Sequence, residues 1–470
     1  MTDAVLPVRA FEGSWGHTFV TGGVAALAGL MFGLDIGVIS GALQFIGDAC
    51  HASDIAKEWI VSSMMFGAAA GAIGAGVLSF RLGRKVSLII GAVLFVVSSL
   101  LCAAAWSTES LIVFRVILGV AIGIATFTAP LYISEIAPAD KRGAMISSYQ
   151  LMITVGILAA FISDTLFSYI GAWRWMLGIV AVPGALFLIG VVQLPMSPRW
   201  LMMRGRKDEA RAVLKSLRGD ARLVNKEMLD IEEQLKRPQR GWSFFRANPH
   251  FRRSVGLGVA LQMMQQFTGM NVVMYYAPRI FADVGFKGYE ALWGTALVGL
   301  VNVLSTFVAI ALVDKVGRRP VLLVGFAVMA IGLGALGVLL HIGTTDIEMQ
   351  IVAVAMLLVF IIGFAVSAGP LIWVLCSEVQ PIEGRDFGMA ISTFTNWGAN
   401  FVVGLTFLTM LTDLGSGATF GIYAALNALF LLVTFFYIPE TKDISLEAIE
   451  ANLMAGKPLR HIGDQKGLRK

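Results

Sequence analysis

Long runs of hydrophobic residues alternate along the chain with short polar turns, a pattern that predicts membrane-spanning helices. A helix needs about 20 apolar residues to cross the hydrocarbon core of a bilayer. The runs do not alternate apolar and polar residues at every second position, as transmembrane β-strands do. They lie at residues 17–41, 59–80, 86–106, 110–134, 144–168, 173–194, 254–283, 290–313, 320–341, 348–377, 386–411 and 417–438. The sequence therefore predicts an all-α membrane protein with twelve spans.

Composition supports a membrane protein and argues against a soluble one. Of the 470 residues, 57% are hydrophobic and 14% are charged, whereas soluble domains carry about 25% charged residues. The five histidines and three cysteines are scattered without ligand spacing, so neither a metal site nor a disulfide framework is predicted. No nucleophile–base arrangement or phosphate-binding loop is present. We therefore expect neither an enzyme nor a cofactor.

Basic residues predict the orientation of the spans. Cytoplasmic loops of membrane proteins carry an excess of lysine and arginine. If both termini are cytoplasmic, all but five of the 36 basic residues lie in the tails and the cytoplasmic loops. The five exceptions are Lys57, Arg115, Arg174, Arg279 and Lys287. The net charge of +5 is thus a topology signal, and no nucleic-acid partner is expected.

One sizeable polar segment, residues 195–253, separates spans six and seven. It holds 15 basic and 7 acidic residues. Apolar residues at helical spacing predict short amphipathic helices, one over 208–217 and one with a stripe of Met228, Ile231 and Leu235. A solvated linker and a gating element are equally compatible with this pattern. The predicted organisation is a first six-helix half at 1–194, this linker, a second half at 254–438 and a cytoplasmic tail at 439–470.

Three motifs occur twice, in the same order, which indicates a duplicated six-helix unit. Gly83 and Gly317, each within a basic turn, are 234 residues apart, and the Ser-Glu pairs ending in Glu135 and Glu378 are 243 residues apart. Prolines at the ends of spans six and twelve are 244 apart. Two repeated halves are the architecture of a carrier that rocks one half against the other around a central site.

Charged residues at the cytoplasmic ends of the spans are candidate gate residues. They are Arg84, Glu135 and Arg142 in the first half, and Arg318, Glu378 and Arg385 in the second. Each glutamate has two arginines as candidate partners, and the sequence leaves the choice open. Such pairs would close the cytoplasmic face in one state and part in the other. The alternative is that these charges only anchor helix ends at the lipid headgroups.

A series of motifs shows a resemblance to a known family. They are FGLDIGVISGAL at 32–43, RLGRK at 81–85, SEIAPADKRG at 134–143, SPRWL at 197–201, QQFTGMNVVMYYAP at 265–278, DKVGRR at 314–319, GPLIWVLCSE at 369–378 and PETK at 439–442. With these motifs the chain resembles the sugar porter family of the major facilitator superfamily from end to end, and within it bacterial galactose–proton symporters.

The resemblance implies proton-coupled import of D-galactose or a related hexose across the bacterial inner membrane, by a monomer in the bilayer. The alternatives are an uncoupled facilitator and an arabinose–proton or xylose–proton symporter of the same fold. A membrane sugar sensor is a rival of another class, but such a protein is expected to carry a longer signalling tail. A membrane enzyme is more distant still.

Two charged residues inside spans are candidates for proton coupling. Asp35 lies in the outer part of span one and Arg115 near the outer start of span four, so the two are at similar depth. A charge within lipid is costly and marks a functional candidate. The resemblance implies that Asp35 carries the proton and that Arg115 is its partner. The alternative is a static buried salt bridge that fixes helix packing. Asp164, near the outer end of span five, is expected to be interfacial.

Amides and aromatic rings are candidates for sugar binding. Four amides, including Gln262, lie within ten residues of span seven, and such groups are too costly to face lipid. The resemblance implies sugar contact by Gln150, Gln265, Gln266, Asn271, Asn302, Trp373, Asn396 and Trp397, with pocket-lining Phe32, Tyr275 and Phe364. Gly269 and Gly369 would let spans seven and ten bend over the sugar. For each amide the alternative is an interhelical hydrogen bond.

Overall fold

The structure is a computed structural model that describes residues 15–138, 142–236 and 241–464. Regular structure in these ranges is helical throughout. The helices are α1 (Trp15–Cys50), α2 (Asp54–Leu82), α3 (Arg84–Ala103), α4 (Thr108–Ile136), α5 (Arg142–Ser168), α6 (Trp173–Ile179), α7 (Ala181–Gln193), α8 (Pro198–Met203), α9 (Lys207–Arg218), α10 (Ala221–Leu235), α11 (Trp242–Ala247), α12 (Pro249–Phe267), α13 (Met270–Val284), α14 (Tyr289–Val316), α15 (Arg318–Ile342), α16 (Ile347–Val366), α17 (Ala368–Val379), α18 (Arg385–Leu414), α19 (Ser416–Tyr437) and α20 (Leu446–Met454).

These helices form the twelve predicted spans, and span seven is broken. In the described ranges, eleven stretches are long and apolar enough to cross a membrane. Span seven consists of α12 and α13, which are separated by Thr268 and Gly269. Gly269 has φ 93°, in the left-handed region that a residue without a Cβ adopts readily. Span seven is not among the eleven apolar stretches, because it is broken and its amides make it more polar than the other spans.

The first two helices extend beyond the predicted spans. The hydrophobic run of span one ends at residue 41, but α1 continues to Cys50, and α2 begins at Asp54. The hydroxyl of Ser53 accepts a hydrogen bond from the backbone N–H of Ala56 at 3.2 Å and caps the start of α2. The turn between spans one and two is therefore shorter than the hydrophobicity pattern indicates.

Small residues allow spans two and four to pack closely. A Cβ added at Gly67 would meet the backbone carbonyl of Val116, and one added at Gly119 would meet that of Met64. Close approach of two helix backbones at small residues is the usual mode of packing in membranes. The paired glycines of α2 and α4 therefore fix the position of Arg115, which lies one turn before Gly119.

The helix ends define two faces of the bundle. The short-loop face carries the turns at 51–53, 104–107, 169–172, 285–288 and 343–346. The linker face carries helices α8 to α11 and α20. The first and second six-span halves contact each other mainly through α2 against α18 and α5 against α14. We call these contacts the α2/α18 seam and the α5/α14 seam; the internal repeat relates one to the other.

The linker is helical, as predicted, and its first part is attached to the first half. The predicted helix over 208–217 is α9, and Met228 and Ile231 are buried on α10. The indole N–H of Trp200 donates to the carbonyl of Phe80 at 2.9 Å. The hydroxyl of Thr18 in α1 donates to the carbonyl of Leu217 at 2.8 Å.

Candidate functional site

Asp35 and Arg115 form a salt bridge in the interior of the first half. Arg115 Nη1 lies 3.2 Å from Asp35 Oδ1, and Nη2 lies 3.4 Å from Oδ2. Both residues are 1% exposed. Arg115 Nε also donates to the backbone carbonyl of Ile60 in α2 at 2.6 Å. The guanidinium therefore connects α1, α4 and α2, and the contact confirms that Asp35 and Arg115 lie at similar depth.

Asp164 is buried within the protein near the end of α5, and its position at the membrane interface stays a prediction. It is 1% exposed, and its Oδ2 accepts a hydrogen bond from the backbone N–H of Gly41 at 3.1 Å. Its Oδ1 has no hydrogen-bond partner among the described residues. Gly41 makes the room, because an added Cβ would overlap the Asp164 carboxyl group. The face that α5 presents to α1 buries this residue despite its position near the helix end.

Amides from spans seven and eleven form a connected cluster. The Asn396 side-chain NH₂ donates to Gln262 Oε1 at 2.6 Å and to Gln265 Oε1 at 2.8 Å. Gln265 Nε2 donates in turn to the carbonyls of Ala368 and Gly369 at 3.1 and 2.9 Å. These two carbonyls lie at the start of α17, where span ten is interrupted. The cluster therefore ties the breaks of spans seven and ten to α18.

A second amide pair spans the break in span seven. Asn271 Nδ2, on α13, donates to Gln266 Oε1, on α12, at 2.6 Å. Gln266 is 6% exposed and Asn271 is half-buried. Amides offer both donors and acceptors, so these two retain further capacity to bind a hydroxyl-rich ligand. Gln150 and Asn302 carry no side-chain hydrogen bond to a described residue.

Aromatic side chains stand near these amides. The rings of Phe32 in α1 and Trp397 in α18 meet edge to face, with centroids 5.3 Å apart. Trp397 is 4% exposed, while Phe32, Phe364 and Trp373 are half-buried. An added Cβ at Gly369 would lie 3.2 Å from the ring of Phe364. Phe32 and Trp397 bring the two halves together near the middle of the bundle.

Tyr275, on α13, lies in the buried interior of the second half. Its hydroxyl accepts a hydrogen bond from Asn400 Nδ2 at 3.3 Å, and its side chain is fully buried. The structure therefore buries a carboxyl group paired with a guanidinium in the first half and a set of neutral hydrogen-bonding groups in the second.

In the first half, charged residues at the linker face form an ion pair. Arg84 Nε lies 2.9 Å from Glu135 Oε2, and Nη2 lies 2.7 Å from Oε1. The Ser197 hydroxyl, at the end of span six, donates to the same carboxylate. Of the two partners that the sequence leaves open for Glu135, the structure pairs Arg84. The side chain of Arg142 lies outside the described residues.

The second half repeats this arrangement. Arg318 Nη2 lies 3.2 Å from Glu378 Oε1, and the Thr441 hydroxyl donates to Glu378 Oε2 at 2.5 Å. Arg385 donates instead to the carbonyl of Gln380 at 3.4 Å. Both ion pairs join spans of a single half. They fix the linker-face ends of spans within each half and do not bridge the two halves.

Several of these participants do not stand out in the sequence. Ser197 and Thr441 belong to motifs at equivalent places in the repeat, but nothing in the motifs marks their hydroxyls as partners of the glutamates. Glu58 in α2 falls outside the predicted span, which begins at residue 59. It is 2% exposed and hydrogen-bonded to Thr409. Its polar neighbourhood, Asp54 to Glu58, gives no signal that distinguishes a buried carboxylate from a loop.

Comparison with known proteins gives a consistent result. The family model described as "Sugar (and other) transporter" matches residues 22–453. The chain is 60% identical to the galactose–proton symporter of Escherichia coli (strain K12) over 447 residues, 95% of this chain and 96% of the relative. It is 51% identical to the arabinose–proton symporter of the same strain over 466 residues, 98% of this chain and 99% of the relative.

Solved structures agree with the fold. A partially occluded inward-open conformation of the xylose transporter XylE from E. coli superposes with a TM-score of 0.81 at 31% identity, covering 92% of this chain and 100% of that one. XylE bound to 6-bromo-6-deoxy-D-glucose, described as a major facilitator superfamily proton:xylose symporter, superposes with a TM-score of 0.79 at 31% identity, covering 93% and 99%. The twelve-span fold, its two halves, the family match over nearly the whole chain and these relatives lead to one conclusion: the chain belongs to the sugar transporter family of the major facilitator superfamily.

Proposed function

We propose that this protein imports D-galactose or a related hexose together with a proton. The observation that carries the proposal is the fully buried Asp35–Arg115 pair, in a molecule that also buries an amide cluster between spans seven and eleven. The 60% identity to a galactose–proton symporter supports the substrate. A carboxyl group in a low-dielectric interior is stable either as an ion pair or as the neutral acid, which is the property a proton carrier needs.

The mechanism uses these two states of Asp35. With the site open to the outside, Asp35 takes a proton and releases Arg115. The sugar exchanges its water for amide partners, Gln266 and Asn271 among them, because an unpaired buried hydroxyl would cost about 2 kcal/mol or more. Spans seven and ten bend at Gly269 and Gly369 over the sugar. The halves then rock, and sugar and proton leave on the other side.

The orientation follows from the positive-inside rule. We place the linker face in the cytoplasm, with both termini, and the short-loop face outside. In a bacterium this corresponds to the inner membrane. The hydrogen bonds of Thr409 to Glu58 and of Trp293 to Tyr169 join the halves at the short-loop face, which supports a state closed to the outside. The linker-face ion pairs are intact in this state and each joins spans of a single half, so they support each half as a unit and do not close the linker face between the halves.

A second candidate is a pentose–proton symporter. The 51% identity to an arabinose–proton symporter supports it. The neutral amides named above suit hexoses and pentoses alike, since both present ring hydroxyls. Competition of unlabelled galactose, glucose, xylose and arabinose against labelled galactose tests the choice. Strongest competition by arabinose would contradict the hexose assignment.

Substitution of Asp35 tests the coupling. Asp35→Asn is expected to abolish sugar accumulation and sugar-induced alkalinisation of the medium, while exchange of sugar down its gradient continues. Asp164→Asn is the matched control, because Asp164 is equally buried but no described cation contacts it. That variant is expected to accumulate sugar as the parent does. Unchanged accumulation by Asp35→Asn would contradict the proposal.

A further inference from the structure

A buried carboxylate joins the two halves at the short-loop face. Glu58, in α2, is 2% exposed, and its Oε1 accepts a hydrogen bond from the backbone N–H of Thr409, in α18, at 2.7 Å. Its Oε2 accepts from the Thr409 hydroxyl at 2.8 Å. Nearer the end of the helix, the hydroxyl of Thr412 donates to Asp54 at 3.4 Å. These bonds cross from the first half to the second, so they must break whenever the halves part at this face.

The backbone of α18 is engaged by side chains of other helices at this point. The N–H of Thr409 is bound by Glu58, and the carbonyl of Gly404 accepts a hydrogen bond from the hydroxyl of Tyr276 at 3.0 Å. Ser62 of α2 packs against Gly404, where an added Cβ would lie 2.9 Å from the serine Oγ. Hydrogen bonds to an ionised group are shorter and stronger than neutral ones. Each carboxyl oxygen of buried Glu58 accepts from a separate donor of Thr409, so the contact is specific in geometry.

The internal repeat provides a comparison within the same molecule. At the offsets of 234 and 243 residues given by the motifs, Glu58 corresponds to Leu292 and Thr409 to Leu166. The α5/α14 seam thus has no carboxylate at the equivalent place. It is closed by the exposed aromatic side chains of Tyr169, Tyr289 and Trp293. The Glu58 contact is an addition to one seam only.

Glu58 is also close in the chain to the coupling pair. The carbonyl of Ile60, two residues further along α2, accepts the 2.6 Å hydrogen bond from Arg115. The outer end of α2 is therefore held by Arg115 within the first half and by Thr409 across the seam. Release of Arg115 from Asp35 would act on the same short segment of α2 that carries the contact between the halves.

We propose that Glu58 is the latch that holds the short-loop face closed, through its two hydrogen bonds to Thr409. This inference rests on the alternating access of the proposed function. Glu58 is a positioning residue: it contacts none of the candidate sugar-binding amides and does not contact Asp35. Its loss shifts the balance between the two states towards the one open at the short-loop face.

Accessibility of Ser62 measures that balance directly. Ser62 is fully buried in the α2/α18 seam, and Ser62→Cys introduces a thiol that reacts with a maleimide only when the seam opens. Cys50, which is half-buried, is replaced by serine in the same chain. The protein is purified in nanodiscs, so the reagent reaches both faces. Glu58→Ala is expected to raise the labelling rate about tenfold, because a charged hydrogen bond contributes more than a neutral one.

Two further variants make the result decisive. Thr409→Val keeps the shape but removes the hydroxyl donor, so it is expected to give a smaller rise in the same direction. Glu290→Ala removes an exposed glutamate beside the α5/α14 seam and is expected to leave the rate unchanged. Melting temperatures show that each variant is folded, and if Glu58→Ala does not fold, Thr409→Val carries the test alone.

Equal labelling of parent, Glu58→Ala and Thr409→Val would overturn the latch. An equal rise with Glu290→Ala would overturn it as well, because the effect would then be general to this face. Labelling needs neither sugar nor a proton gradient. A failure of the latch is thus distinguishable from a failure of the proposed transport.

Discussion

At the scale of single residues, the buried partners Asp35 and Arg115 differ in whether the one that remains can lose its charge when the other is removed. A carboxyl group without a partner can bind a proton and become neutral, whereas a guanidinium stays protonated at any pH that a protein tolerates. Asp35 can therefore relax alone and Arg115 cannot. In the transport cycle, protonation of Asp35 leaves Arg115 as a buried cation without a counter-charge. The free-energy cost of that buried charge is relieved only when the surrounding helices rearrange.

This asymmetry predicts an order of stability. Asp35→Asn leaves an unpaired buried charge and is expected to lower the free energy of unfolding by about 3 kcal/mol. Arg115→Gln is expected to cost less, because Asp35 becomes neutral. Melting temperatures of the purified variants in one detergent give the comparison, with the double variant expected to be more stable than Asp35→Asn alone. The reverse order would show that Arg115 acts through its bond to Ile60 more than through the pair.

Asn396 is the centre of the amide cluster, and its loss should affect sugar binding. Asn396→Ala removes the donor from two buried carbonyl oxygens, each of which then costs about 1–3 kcal/mol. Gln262 and Gln265 would turn to find other partners. We expect the KM for sugar to rise about tenfold, which corresponds to about 1.4 kcal/mol.

Asn427 supplies the control for that measurement. It is fully buried, and its side chain donates to the carbonyls of Thr268 and Tyr423 at 3.1 and 2.8 Å. Asn427→Ala should cost similar stability while leaving KM close to that of the parent. Equal changes of KM in both variants would indicate a general loss of packing and would remove Asn396 from the sugar site.

At the scale of helices, hydrophobicity identifies the spans but not which side of a helix a residue faces. The spans are predictable because apolar runs of this length have no other stable place. The distance of Asp164 along α5 does not show that its side chain faces α1 and is buried. Glu58 falls just outside the predicted span because the run of apolar residues begins after it. Both residues carry carboxyl groups that neighbouring helices bury.

Pairing is a second feature that the pattern alone leaves open. The repeat identifies Glu135 and Glu378 as equivalent, and the structure gives them equivalent partners. Nothing in the spacing selects Arg318 over Arg385 as the partner of Glu378. The two arginines begin different helices, α15 and α18, and only the packing of these helices decides which arginine lies next to the glutamate. By contrast, the common depth of Asp35 and Arg115 follows from the direction of their spans, so that pair is predictable.

The break in span seven gives a prediction for a whole element. In Gly269→Ala, a residue with a Cβ must adopt φ 93°, which costs about 1–2 kcal/mol. The new Cβ would also lie 2.9 Å from the ring of Tyr423. The relative position of α12 and α13 should change, with a lower transport rate and a lower melting temperature. Gly256→Ala, in α12 with open space around it, should be neutral or slightly stabilising. Equal behaviour of both variants would contradict the hinge.

At the scale of the whole molecule, the contacts divide into those that hold each half together and those between the halves. The linker-face ion pairs and the glycine contacts of α2 and α4 belong to the first class. The α2/α18 and α5/α14 seams belong to the second. Rocking of one half against the other must preserve the first class and open the second at the short-loop face. Covalent links placed in each class should therefore have opposite effects on transport.

A disulfide across the α2/α18 seam is expected to stop transport. Ser62 Oγ lies 2.9 Å from the position of a Cβ at Gly404. The double variant Ser62→Cys, Gly404→Cys can therefore form a disulfide, in which each sulfur lies close to the Cβ of the partner residue. Oxidation should abolish uptake, and a reductant should restore it. The matched control joins α1 to α7 within the first half, by Val24→Cys and Gly190→Cys, where the corresponding distance is 2.8 Å. That link should leave uptake unchanged, because the first half moves as one body. Continued uptake across a locked seam would mean that the sugar crosses without the halves parting, and it would exclude rocking as the mechanism.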